Sequence, residues 1–175
     1  MHDWRPGISR DALRARARLL GSIRTFFDER DVLEVDTPLL ASYAVTDPAL
    51  EPVIADAGLV GSLPRFLQTS PEFAMKRLLA AGSGPIYQLG KAFRAGEAGP
   101  RHNPEFTLLE WYRPDFTLPE LMDEVVCLLE RCLGRGDFSV TGYRELFLEY
   151  LQLDPFLASP TDLEVAARSR LDPGL

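Results

Sequence analysis

Residues 105–113 carry an alternation that limits what this chain can fold into. Side chains of an extended strand point to opposite faces in turn. Phe106, Leu108, Glu110 and Tyr112 therefore share one face, and Thr107, Leu109, Trp111 and Arg113 share the other. Both faces hold large apolar groups and need cover, which predicts a central strand. Pro85 to Arg94 reads as another strand, and a loop with Gly96, Gly99 and Pro100 joins the two. Strand, loop, strand implies an antiparallel hairpin.

The flanking segments supply helices. Ser9 to Arg30 reads as one amphipathic helix, capped by Ser9, with Asp11 in its first turn. Leu13, Ala17, Leu20, Ile23 and Phe27 form its apolar stripe. Val32 to Val35 is a short extended run, and Pro38 fixes the backbone after it. Residues 41–65 are rich in turn residues, among them Pro48, Pro52, Gly58, Gly61 and Pro64, and predict short strands and loops. Phe66 to Thr69 reads as a strand feeding a helix. Ser70 is expected to cap that helix, with Pro71 at its first position and Glu72 in the first turn. Phe73, Leu78 and Leu79 would be its apolar side and Gly82 its end. Helices are further expected over Leu118 to Leu133, near Tyr143 to Leu151, and after Ser159-Pro160-Thr161-Asp162.

Composition narrows the class. A domain of 175 residues buries roughly 70% of its unfolded surface, enough for a core. No apolar run approaches the ~20 residues that span a bilayer, and Met1 to Gly7 lacks the apolar segment of a signal peptide. Cys127 and Cys132 make no disulfide framework and no zinc set, and read as buried free thiols. A cytoplasmic protein is the expectation. A net charge of −7 repels phosphate backbones on average, so indiscriminate nucleic-acid binding is not expected. Local basic clusters can still hold a nucleotide.

Such a cluster lies in the hairpin loop. Arg94, Arg101, His102 and Asn103 are flanked by strands, and Phe106 follows. Arginine suits bidentate phosphate contact, and an aromatic ring offers a flat face to a purine. Glu110 and Tyr112 share the face of Phe106 and can reach a second substrate beside the base. The plainer reading is a polar hairpin loop over a mixed sheet, with Arg94 in an ordinary surface ion pair and Phe106 in the core.

The order and spacing of these residues resemble a known family. Arg94, a loop, then Arg101-His102-Asn103-Pro104-Glu105-Phe106-Thr107 and Glu110 look like motif 2 of class II aminoacyl-tRNA synthetases, in the lysine-subgroup form. Val32 to Pro38 looks like motif 1, and Thr69-Ser70-Pro71-Glu72 like the amino-acid-binding segment. Glu110-Trp111-Tyr112-Arg113-Pro114 and Val45-Thr46-Asp47 are similar to the elongation factor P lysine ligases of that subgroup. The helix beginning by Ser9 leaves no room for an anticodon-binding barrel on its N-terminal side, which also favours the ligases over the tRNA enzymes.

The resemblance implies an α+β fold: a class II antiparallel sheet flanked by helices, truncated before motif 3. It makes residues 1–175 the N-terminal part of a single catalytic domain, with motif 1 at about 26–40 and motif 2 at about 91–113. It implies ATP-dependent activation of lysine or (R)-β-lysine as an adenylate, then transfer to a lysine of elongation factor P. ATP and magnesium would be the cofactors. A homodimer through the first helix and the Pro38 segment is implied, with tRNA not expected as a partner. Arg94 would hold the α-phosphate as the catalytic residue. Ala95, Gly96, Glu97, Arg101, His102, Asn103 and Phe106 would complete the ATP site. Ser70, Pro71, Glu72, Glu110 and Tyr112 would bind the amino acid.

Two departures stand out. The usual motif places an acid two residues after the arginine, near the adenine; here that position is Gly96 and Glu97 comes one later. Glu97, or the backbone of Ala95 and Gly96, would have to substitute. No glycine-rich third motif ending in arginine occurs, and the magnesium ligands are expected beyond residue 175. The chain on its own is therefore expected not to form adenylate. Charging of tRNA, or a non-catalytic dimerising or binding remnant, are the alternatives.

Overall fold

The computed structural model describes residues 5, 7–55 and 63–170. The turns expected at Gly58 and Gly61 lie outside the described residues. The chain forms two compact units, Met1–Arg135 and Gly136–Leu175.

In the first unit, Ser9 caps α1 (Arg10–Asp28), its hydroxyl accepting from the Ala12 amide at 3.1 Å. Ile23, Phe26 and Phe27 are the buried residues of this helix. Leu20 is half-buried, but Leu13 and Ala17, expected on the buried stripe, are exposed. The helical spacing is right; the core cluster simply gathers around the C-terminal half of the helix. After α1 the chain reverses at Asp31, whose φ is 53°, and enters β1 (Leu33–Glu34).

The predicted hairpin forms as β5 (Ile86–Phe93) and β6 (Glu105–Tyr112), paired antiparallel from Ile86↔Tyr112 to Phe93↔Glu105. β1 lies parallel to β5 on its other side, so the sheet is mixed and its order is β1-β5-β6. Among the described residues β5 is therefore central and β6 is an edge, which corrects the expectation for β6. Its two apolar faces have a different origin from two-sided pairing. One face packs on helices and the other lines the site. A second sheet, β2 (Leu40–Ala41), β4 (Arg65–Leu67) and β3 (Ile54–Ala55), is antiparallel in the order β2-β4-β3.

One face of the hairpin carries the core. Phe27 is fully buried and stacks on Tyr87, with ring centroids 4.4 Å apart. Trp111 approaches the same ring at 5.6 Å, and Leu89, Leu109 and Cys132 pack around the cluster. Burial, followed by a hydrogen bond to Glu34, pushes the Tyr87 phenol up to about 12. Removing a fully buried phenylalanine such as Phe27 costs roughly 3–5 kcal/mol. The second helix on this face is α3 (Leu118–Leu133), opened by a Thr117–Glu120 capping box. Within α3, Cys127 is exposed, not buried as expected; Glu124 and Leu128 are the residues it buries.

α2 (Glu72–Ala80) starts one residue later than expected. Pro71 is its N-cap, and Ser70 precedes it, accepting from the Glu72 amide at a long 3.4 Å. Met75, not Phe73 or Leu78, is the buried side chain of α2; those two are exposed. The helix ends as predicted at Gly82, whose φ of 87° suits the left-handed exit. The Gly82 and Ser83 amides donate to the Leu79 and Leu78 carbonyls, a Schellman closure.

The second unit holds α4 (Tyr143–Leu151) and α5 (Pro160–Arg170). Ser159 and Asp162 exchange capping hydrogen bonds at the start of α5, as their order predicts. Leu151 and Ala166 are the buried apolar residues of this unit among those described. No described helix is long and apolar enough to cross a membrane.

Candidate active site

The face of the hairpin turned away from α1 and α3 holds the polar groups. Directly paired residues share a face, so Gln88↔Glu110, Gly90↔Leu108 and Ala92↔Phe106 lie on this side together with Tyr112. Arg94 continues the same parity one residue beyond β5. Its backbone amide donates to the Pro104 carbonyl at 2.9 Å, closing the base of the loop. Its guanidinium carbon lies 5.1 Å from the centre of the Phe106 ring. The guanidinium and the ring thus project together into one hollow, which Arg101, His102 and Asn103 also line.

The loop is a small hairpin of its own. The Gly99 amide donates to the His102 carbonyl at 3.0 Å, and the His102 amide returns the bond at 3.3 Å. This reversal leaves Pro100 and Arg101 at the tip and Arg101, His102 and Asn103 exposed. Glu97 lies 3.6 Å from the Arg94 guanidinium, so the plain ion-pair reading of Arg94 is present as well. That pair leaves much unused. The Arg94 Nε is buried without a hydrogen-bond partner. A buried, unsatisfied guanidinium nitrogen costs free energy of roughly 1–3 kcal/mol. Two arginines, an imidazole, a carboxamide and an aromatic ring are the groups that a nucleoside polyphosphate needs. ATP therefore fits the residues present. Magnesium does not find its ligands here: no group of three or more His, Cys, Asp or Glu among the described residues converges to hold a metal.

Farther along the same face lies an acidic subsite. Glu110 accepts a hydrogen bond from the Tyr112 hydroxyl at 2.8 Å. Burial holds the Glu110 carboxyl above the usual carboxylate range, against the opposing pull of the Tyr112 hydrogen bond. The charge of Glu72 pushes it further up, and that of Lys76 pulls it down. The Tyr112 phenol is raised as well, by burial first and then by Glu110. Glu72 and Lys76 pair across one turn of α2 at 2.5 Å. The ammonium of Lys76 is thus the counter-charge to two carboxylates that pair with no other cation among the described residues. Ser70 and Glu72 also line a cleft with Tyr43, Val45, Phe66 and Phe73. Pro71 is buried beneath them.

Several residues of this face escaped the sequence reading. The Gln88 side-chain oxygen, buried, accepts from the Thr37 amide at 3.0 Å and ties the segment before Pro38 to β5. The Gln68 side chain donates to the Lys91 carbonyl at 2.9 Å, and its backbone carbonyl accepts from the Phe93 amide. A glutamine inside an otherwise apolar strand was a usable signal for Gln88. Lys76 gave none as a neighbour of Glu110, because the two are distant in sequence.

Comparison with known proteins identifies the family. A family model described as tRNA synthetases class II (D, K and N) matches residues 1–141. A protein of Photorhabdus laumondii named "Elongation factor P--(R)-beta-lysine ligase" is 46% identical over 170 residues, covering 95% of this chain and 52% of that protein. Proteins of the same name from Yersinia pestis and Yersinia pseudotuberculosis are 47% identical over 169 residues, 94% of this chain and 52% of theirs. The chain spans about half the length of the curated relatives it matches. With a model matching most of its residues and its motif 2 strands formed as an antiparallel hairpin, the chain belongs to the class II tRNA synthetase family of the D, K and N type.

Proposed function

We propose that this chain supplies the nucleotide-binding and part of the amino-acid-binding surface of an ATP-dependent ligase that lysylates elongation factor P. The substrate would be (R)-β-lysine or lysine. Its carboxylate attacks the α-phosphorus of ATP, pyrophosphate leaves, and the acyl group then passes from AMP to a lysine amine of the partner. In this reading Arg94 neutralises the α-phosphate as charge builds. Phe106 stacks on the adenine, and Arg101, His102 and Asn103 meet the outer phosphates and ribose side of the nucleotide. Positioning and charge stabilisation carry most of such a step. Glu110 and Glu72 receive the substrate ammonium, with Tyr112 and Ser70 completing its hydrogen bonds over Pro71. Support comes from the names of the relatives and from the acidic balance of −7, which suits a protein acceptor better than tRNA. Exposed Leu13, Leu33, Leu39 and Leu40 support a dimer through α1 and the Pro38 segment. A cytoplasmic location completes the reading.

The observation that carries it is the Arg94 guanidinium facing the Phe106 ring with a buried, unpartnered Nε. ATP–pyrophosphate exchange by the intact protein carrying this chain, with (R)-β-lysine or lysine, tests it. Arg94→Ala should lower exchange by about 10²–10³-fold, the loss typical of one charge-stabilising donor. Exchange unchanged in that variant would remove Arg94 from the chemistry.

A further inference from the structure

The hollow beside Arg94 has a gap where the motif calls for a side chain. Gly96 has no Cβ and a φ of 77°, so the loop turns there without presenting a functional group. A different segment fills the space. The backbone carbonyl of Glu51 accepts from the Ala95 amide at 2.8 Å, pinning residue 51 against the start of the loop. The Glu51 side chain then runs alongside Gly96. Its Oε2 lies 3.7 Å from the point where a Cβ on residue 96 would sit. Among the described residues, this carboxylate has no hydrogen-bond or ion-pair partner. Glu97, the other candidate for the missing acid, is turned toward the Arg94 guanidinium instead.

We propose that Glu51, reaching across from the segment before β3, is the residue that reads the base of the bound nucleotide in place of the side chain absent at Gly96. This deepens the nucleotide reading above and rests on it. With a base stacked on Phe106, the rim at Gly96 faces its edge, and an ionised carboxylate there accepts hydrogen bonds only. Adenine offers the 6-amino group as a donor. Guanine and hypoxanthine place a carbonyl oxygen at that position, which a carboxylate repels, and carry their donors at N1 or N2 instead. At position 6 the carboxylate therefore favours an exocyclic amine over a bare C–H or a carbonyl. The backbone anchor at Ala95 is independent of the side chain, so substitution at Glu51 leaves the loop in place.

Isothermal titration of the protein with ATP and with purine riboside triphosphate, which lacks the 6-amino group, tests this directly. The wild type should prefer ATP by about tenfold, the worth of one charge-assisted hydrogen bond. Glu51→Ala should bring that preference to about one, by weakening ATP while the analogue stays within about twofold. Glu51→Gln, which keeps an acceptor oxygen without the charge, should fall between. A preference unchanged in Glu51→Ala, equal weakening of both nucleotides, or no preference in the wild type would each overturn the assignment. Failure of the wild type to bind either nucleotide would instead sink the nucleotide reading beneath it.

Discussion

Glu124 is the residue whose loss should damage the first unit most for its size. Its carboxyl is buried, with 4% side-chain exposure, between β6 and α3. It accepts from the Trp111 indole at 3.0 Å and faces the Arg113 Nε at 3.4 Å. Arg113 itself is only 11% exposed and otherwise rests on the Phe116 ring and the Arg30 carbonyl. Glu124→Ala strands the indole donor and removes the counter-charge of Arg113. Leaving the indole unsatisfied costs about 1–3 kcal/mol, and leaving a buried guanidinium without its partner costs about 3–5 kcal/mol. The two overlap, since one side chain serves both, so a total near 4 kcal/mol is expected. Glu124→Gln keeps an oxygen for the indole and loses only the charge, so it should cost about 1–2 kcal/mol. Urea denaturation followed by Trp111 fluorescence measures both. The gap between the variants is the informative quantity. Equal losses below about 1 kcal/mol for both would mean that the carboxyl contributes nothing beyond its volume, and the account of how β6 is locked to α3 would be wrong.

Two further outcomes follow from other sites. Burial raises the Glu110 carboxyl above its ordinary value, so its favourable contribution is complete below the usual glutamate range and is lost as pH rises through the raised value. Glu110→Gln cannot ionise and should gain stability over the wild type as pH climbs from about 4 to neutrality; a stability difference constant with pH would refute this. Gly82 has open space around its missing side chain but a φ of 87°, so Gly82→Ala should cost about 1–2 kcal/mol in thermal or urea unfolding through backbone strain alone. A neutral result would mean the exit of α2 rearranges.

The hairpin was legible because its period of two separates Trp111 and Leu109 from Glu110 and Tyr112 without reference to anything distant. The caps at Ser9 and Ser159 were legible for the same local reason. Readings failed where the answer depended on a partner. The pairing neighbours of β6, the exposure of Leu13 and the exposure of Cys127 are set by what packs against them, and no local pattern encodes that. At α2 the rule for caps and the rule for prolines competed. Pro71, which has no amide to donate, took the capping position itself and pushed Ser70 out of the helix. In the site, the resemblance led to Arg94 and Phe106. Lys76 and Glu51 come into view only when segments far apart in the chain are brought together.

Eight consecutive residues of β6 serve two masters, since every second one seats a helix and the rest face the candidate site. Inserting or deleting a single residue there would exchange the two sets at one stroke, driving Glu110 into the aromatic stack and Trp111 into the hollow. Length changes within the strand are thus ruled out by the core as firmly as by the chemistry. Pro100 at the tip of the loop lines neither the core nor the hollow, and there evolution or an engineer can lengthen the chain.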